Sequence, residues 1–264
     1  MPLIKIKTGL NIYYEQQGFG EDLVFISGLA ADHTTWAPII KTLKEKYRML
    51  LFDNRDVGKT DSVNESYTIE HMARDTLALM DALEIEKATL IGHSMGGAIA
   101  LYVALMHQER VKKIIVCASA PKLPTPSLVH VQSIIKLREH GLSPLLIFET
   151  TLPWLFGESF LKNGRLVSAV MRNILHNPKP QTLESFKNQA QASESIDLLN
   201  TMQKITTKTL VIAGKEDLIT PLACSEKIHR SIRGSELFVI PDCGHMLQFE
   251  QPQILEKAIV DFIV

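Results

Sequence analysis

Two rhythms of apolar spacing alternate along this chain, and the switches between them predict its elements. Short, nearly unbroken apolar runs at 23–26, 48–52, 88–91, 113–117, 209–213 and 236–240 read as strands buried on both faces. Helical spacing occupies 36–47, 69–83, 98–107 and about 221–232, and a last amphipathic stretch at 252–263 closes the chain. Met72, Leu77, Met80 and Leu83 mark the second of these helices; Ala98, Leu101, Tyr102, Leu105 and Met106 mark the third. Strand-helix alternation of this kind predicts parallel β-α units with helices on both faces of the sheet. Ahead of them, 3–7 and 10–14 alternate around Thr8-Gly9, which predicts an antiparallel hairpin and a total of about eight strands. Between 121 and 206 the strand rhythm stops. Helical stretches remain, punctuated by Pro124, Pro126, Pro144, Pro153, Pro178 and Pro180. The expected organisation is an α/β core of 1–120 and 207–264, with a helical cap of 121–206 inserted after the sixth strand. Such a cap lies over the carboxyl edge of the sheet, where open α/β sheets bind ligands.

The run at 88–91 leads into Gly92-His93-Ser94-Met95-Gly96-Gly97 and then into the third helix. A serine with glycine two residues to either side, on a strand-to-helix turn, is the pattern of a nucleophile elbow. Gly92 and Gly96 suit it because a Cβ at either position would collide with the neighbouring strand or helix. Chance supplies the pentapeptide in roughly one in ten chains of this length at ordinary glycine usage, so it needs an acid and a histidine after it. Both occur at strand ends. Gly214-Lys215-Glu216-Asp217 follows 209–213, and Pro241-Asp242-Cys243-Gly244-His245 follows 236–240. If the strands are parallel, both loops share the sheet edge of Ser94, in the order Ser, Asp or Glu, His.

Composition narrows the function classes. With 28 basic against 29 acidic residues, scattered along the chain, no nucleic-acid footprint is visible. No run approaches a membrane span and the N-terminal segment lacks a signal-type apolar core, so a cytoplasmic location is expected. Cys117, Cys224 and Cys243 are too few and too dispersed for a disulfide framework or a zinc site. Cys243 reads as a packed thiol.

With Ser27-Gly28 after the third strand, Asp53-Asn54-Arg55-Asp56-Val57-Gly58-Lys59-Thr60, the GHSMGG elbow, Gly214 to Pro221 and Gly244-His245, the chain resembles the α/β-hydrolase superfamily over nearly its whole length. Within it the chain is similar to small carboxylesterases, 3-oxoadipate enol-lactonases and the pimeloyl-carrier methyl esterase of biotin synthesis. It departs from the usual pattern with Ser27 in place of histidine, and with Asp56 and Thr60 in place of glycine and serine. The resemblance implies Ser94 as nucleophile, His245 as base and Asp217, rather than the adjacent Glu216, as the acid. It implies an oxyanion hole of the backbone N–H groups of Leu29 and Met95. No metal or cofactor is expected, and the partner is a small-molecule ester or lactone. The oligomeric state, monomer or homodimer, is open.

A serine esterase is the expected activity. Enol-lactonase, thioesterase and carbon-carbon bond hydrolase share such a triad, and a small-molecule receptor on the same fold is the alternative of another class. Phe148, Trp154 and Phe156 are candidates for lining the substrate pocket. His93 reads as a structural neighbour of the elbow, and Asp53 and Arg55 as loop-holding residues. His33, His71, His107, His130, His140, His176 and His229 read as solvent or capping residues. Lys136, Arg138, Lys162, Arg165 and Arg172 either meet an anionic substrate or form a solvated face.

Overall fold

Eight strands form a single sheet in the computed structural model, which describes residues 2–175 and 179–264. The strands are β1 (Leu3–Lys5), β2 (Asn11–Gln17), β3 (Glu21–Ile26), β4 (Tyr47–Phe52), β5 (Ala88–His93), β6 (Val111–Cys117), β7 (Thr209–Gly214) and β8 (Glu236–Ile240). Their order across the sheet is β1-β2-β4-β3-β5-β6-β7-β8. β1 and β2 pair antiparallel, and β2 pairs antiparallel with β4. From β4 to β8 every pairing is parallel. β3 has β4 on one side and β5 on the other, so the chain reverses its direction of travel across the sheet there. A crevice opens at such a reversal, outside the carboxyl ends of the strands. The loops after β3 and β5 flank it.

The helices among the described residues are α1 (Ala37–Leu43), α2 (Ile69–Ala82), α3 (Met95–Met106), α4 (Thr125–Glu139), α5 (Pro144–Leu155), α6 (Glu158–Lys162), α7 (Gly164–Leu175), α8 (Leu183–Glu194), α9 (Leu222–Ser231), α10 (Leu247–Glu250) and α11 (Pro252–Ile263). Burial on both faces explains the unbroken apolar strands. Val24, Ile26, Leu90, Ile114 and Val116 pack with α2 and α3 on one side. Leu23, Phe25, Ile91, Ile115 and Ile212 pack with Trp36, Ile39, Leu255 and Ile259 on the other. Successive strand residues thus enter opposite layers, as the pleat demands.

The expected elements recur with shifted ends. The helix expected over 36–47 is a 3₁₀ turn at His33–Trp36 followed by α1, and Tyr47 opens β4 instead, opposite Glu21. Pairing with β3 takes Tyr47 out of the helix. Between β6 and β7 the described residues carry helices α4 to α8, a 3₁₀ turn at Met202–Lys204, and no strand. His176 and Pro178 lie outside the described residues. No helix among the described residues is long and apolar enough to cross a membrane.

Candidate active site

Ser94 sits where β5 turns into α3 with φ 55° and ψ −120°, a conformation that costs free energy for any residue with a side chain. The surroundings hold it there. A Cβ on Gly92 would fall on the carbonyl oxygen of Gly96, and one on Gly96 would fall on the carbonyl oxygen of Ile26 at the end of β3. Only glycine lets the elbow close this tightly. The Ser94 N–H donates to the Cys117 carbonyl at 2.8 Å, and Ser119 Oγ donates to the Ser94 carbonyl at 2.7 Å. Both partners come from the end of β6. His93 and Met95 are buried while Ser94 is partly exposed, so the turn presents its hydroxyl alone.

The acid and the histidine meet over the neighbouring strand ends. His245 Nδ1 and Asp217 Oδ2 lie 2.8 Å apart, both residues being 3% exposed. Asp217 Oδ1 accepts the N–H groups of Ile219 (2.8 Å) and Thr220 (2.9 Å), and Oδ2 also accepts Thr220 Oγ1 (2.8 Å). A carboxylate can only accept, so in the neutral imidazole Nδ1 carries the proton and Nε2 holds the lone pair.

The backbone of His245 is fastened on both sides. Its N–H and that of Met246 donate to the Leu155 carbonyl at 2.9 and 3.1 Å. Leu155 ends α5, where a helical carbonyl has no partner within its own helix. The His245 carbonyl accepts His93 Nε2 at 2.8 Å, with the two rings 4.8 Å apart. His93, the residue preceding Ser94, therefore ties the His245 backbone to the elbow.

Residues 23–252 match the model of the alpha/beta hydrolase fold family. The chain belongs to that family. A curated relative, 3-oxoadipate enol-lactonase 1 of Acinetobacter baylyi, is 30% identical over 241 residues, 91% of this chain and 88% of that protein. The solved enol-lactonase of Burkholderia xenovorans superposes with TM-score 0.89 at 26% identity, covering 99% of each chain. A thermophilic esterase from Thermogutta terrifontis, solved with malate bound, superposes with TM-score 0.87 at 26% identity, covering 100% of this chain and 98% of its own.

In this alpha/beta hydrolase, burial pushes His93 down to about 3 from an ordinary value of 6.5, the charge of nearby His245 adding to the effect. The unfolded chain takes up a proton on His93 below about pH 6.5 that the native state refuses until about pH 3. Stability therefore falls across that window as pH falls, by up to about 1.4 kcal/mol per pH unit. Chemical denaturation at several pH values checks this. His93→Gln, which keeps a donor for the His245 carbonyl, flattens the decline; an unchanged slope refutes it.

Leu29 lies in the loop after β3 and Met95 just past the end of β5, on either side of the crevice. Met95 opens α3, so its N–H lacks an intrahelical acceptor. The Leu29 N–H has no protein acceptor among the described residues. Ser27, in the place where histidine is usual, supports the same loop. Its Oγ donates to the Asp32 carbonyl and accepts Trp36 Nε1, both at 3.1 Å, and its carbonyl accepts Asn54 Nδ2 at 3.0 Å. Asp56 has φ 67°, a left-handed conformation that aspartate tolerates where glycine is usual.

Several sequence readings are corrected by packing. Phe156, a pocket candidate, is 3% exposed, stacks on Phe160 with centroids 4.3 Å apart and lines an open surface cavity with Pro153, Leu161 and Leu218. Trp154 stacks on His130 at 4.3 Å, and Phe148 is half-buried on α5. His130 is thus buried rather than solvated. His33 is buried as well, with Nδ1 2.6 Å from Asp53 Oδ1. Burial alone would push His33 down, but the Asp53 carboxylate outweighs it and holds it above its ordinary value. Asp32, His33 and Asp53 bring ligand-type atoms within 4.8 Å of one another, yet His33 and Asp53 already satisfy each other. Asp53 and Arg55 do hold loops. Asp53 accepts the N–H groups of His33 and Lys59 (2.8 Å each), and Arg55 pairs with Asp75 through two bonds of 2.6 and 2.8 Å. Glu216 turns away from His245 and accepts the Glu158 N–H at 2.7 Å. Cys243 is fully buried, and burial pushes its thiol up. Arg138 donates to the Gln181 carbonyl and lies over the Phe186 ring, and Lys162 pairs with Glu158.

Sequence reasoning missed Thr220 and Leu155. A hydroxyl three residues after Asp217 is a weak local signal for the first; the second is a backbone carbonyl and has none.

Proposed function

We propose that this hydrolase cleaves carboxylic esters, lactones included, through an acyl-enzyme on Ser94. The observation that carries the reading is the buried His245–Asp217 bond, with the His245 backbone fastened to His93, the residue beside a strained, partly exposed serine. The names of the relatives, enol-lactonase and esterase, agree with it. His245 Nε2 takes the Ser94 proton as Oγ attacks the substrate carbonyl, and Asp217 stabilises the imidazolium that forms. The N–H groups of Leu29 and Met95 receive the negative oxygen of the tetrahedral intermediate. The imidazolium then protonates the leaving alkoxide. Water, deprotonated by the same nitrogen, attacks the acyl-enzyme and releases the acid. In this reading residues 121–206 act as a cap, and Trp154 and Phe148 face the acyl group.

The test uses an ethyl p-nitrophenyl alkylphosphonate. Ser94 displaces p-nitrophenolate from phosphorus and keeps the phosphonyl group, because the tetrahedral adduct resists hydrolysis. The expected result is one equivalent of p-nitrophenolate and a matching mass gain on the peptide that contains Ser94. A protein that turns over p-nitrophenyl esters from acetate to dodecanoate but carries no adduct on Ser94 overturns the reading. The best chain length in that series sizes the acyl pocket.

A further inference from the structure

The loop after β3 contains a turn that its own sequence does not favour. The Ala31 N–H donates to the Gly28 carbonyl at 3.3 Å, and Ala30, third in this four-residue turn, has φ 59°. Leu29 is not among the residues of positive φ. A turn with positive φ only at its third residue is type II, which selects glycine or asparagine there. Alanine holds this conformation against its preference.

What opposes that preference comes from 159 residues away. Gln189, on α8 and fully buried, accepts the Ala30 N–H on Oε1 at 3.0 Å. The amide cannot turn over. Oε1 also accepts Gln181 Nε2 at 3.0 Å, while Gln189 Nε2 donates to the Arg55 carbonyl at 2.8 Å. Exchanging O and N would set donor against donor at two positions and acceptor against acceptor at the third. Gln181 Nε2 reaches the Asp56 carbonyl as well, at 2.9 Å. One amide thus joins the inserted helices to the loops after β3 and β4.

We propose that Gln189 is a positioning residue for the oxyanion hole. Its carbonyl oxygen holds the Leu29–Ala30 peptide in the type II orientation, and so keeps the adjacent Leu29 N–H aimed at the carbonyl oxygen of the substrate. The inference rests on the reading of Ser94 as nucleophile and Leu29 as oxyanion donor. Without the amide, the central peptide of the turn rotates toward the conformation alanine prefers, and Leu29 loses its alignment. Ground-state binding changes little. The loss falls on the transition state, where the oxyanion carries its charge.

The test is steady-state kinetics on the best p-nitrophenyl ester for four proteins: the wild type, Ser94→Ala, Gln189→Met and Ala30→Gly/Gln189→Met. Methionine fills the space without hydrogen bonds. Removing an oxyanion donor outright costs about 10²–10³ in kcat, and a misaligned donor costs less. Gln189→Met is therefore expected to lower kcat by about tenfold to a hundredfold with KM within about threefold. Glycine accepts positive φ freely, so Ala30→Gly in that background restores several-fold of the lost kcat. A residue that only stabilised the fold would not be rescued by a glycine on the far side of the contact. If Gln189→Met does not fold, Gln189→Asn replaces it in the same comparison, since its shorter amide withdraws from Ala30 but keeps a buried polar group. Unchanged kcat, or a loss that Ala30→Gly leaves untouched, overturns the inference. Activity persisting in Ser94→Ala instead overturns the underlying reading of the site.

Discussion

Ser94→Ala is expected to lower kcat for p-nitrophenyl esters by roughly four to six orders of magnitude, with little change in KM or thermal midpoint. The elbow is built so that this one oxygen can be removed without disturbing anything else. Backbone groups of Ser94 make the bonds to Cys117 and Ser119, and the glycines at 92 and 96 set the turn. None of these uses Oγ. Losing the nucleophile leaves the backbone donors and the base in place, so a residual rate above that of water is expected from them. Single-turnover and steady-state assays on the same preparation measure the drop. A fall of less than about a hundredfold would mean that another group attacks the ester.

Asp217→Asn is expected to cost about 10⁴ in kcat without unfolding the protein. The carboxamide oxygen can still accept the N–H groups of Ile219 and Thr220, which the carboxylate oxygen Oδ1 accepts now. Its NH₂ then faces His245 Nδ1 in place of Oδ2. A donor there requires Nδ1 to accept, which drives the imidazole proton to Nε2, and the nitrogen that should deprotonate Ser94 becomes a donor. The variant gives up only the donation from Thr220 Oγ1 to Oδ2 and, with it, the base. kcat within tenfold of the wild type would show that Asp217 does not set the tautomer, and Glu216 would need reconsideration.

The parts of this molecule that were legible in the chain are those whose cause is local. Unbroken apolar runs announced the parallel strands because both faces of the sheet are covered, and the spacing of Gly92 and Gly96 about Ser94 announced the elbow because a Cβ on Gly92 would meet Gly96, four residues on; that Gly96 is pressed by Ile26 of β3 left no local sign. Ends of elements were less legible. Tyr47 continues a helical spacing, yet pairing opposite Glu21 makes it strand. Long-range contacts left no pattern at all. His33 and His130 look like surface histidines until Asp53 and Trp154 are brought against them. The hydrogen bond from Ala30 to Gln189 spans most of the chain and involves a backbone group at one end.

The Leu155 carbonyl has a bearing on how such proteins can diversify. Because the end of α5 receives the N–H groups of both His245 and Met246, the helical insertion is part of the mount for His245. Grafting an insertion from a relative to change substrate range would succeed only if the graft delivered an unpaired helix-terminal carbonyl to the same spot. Under the proposed mechanism specificity and turnover are therefore coupled at one peptide oxygen, and a transplant judged only by the fit of its pocket would fail for want of it.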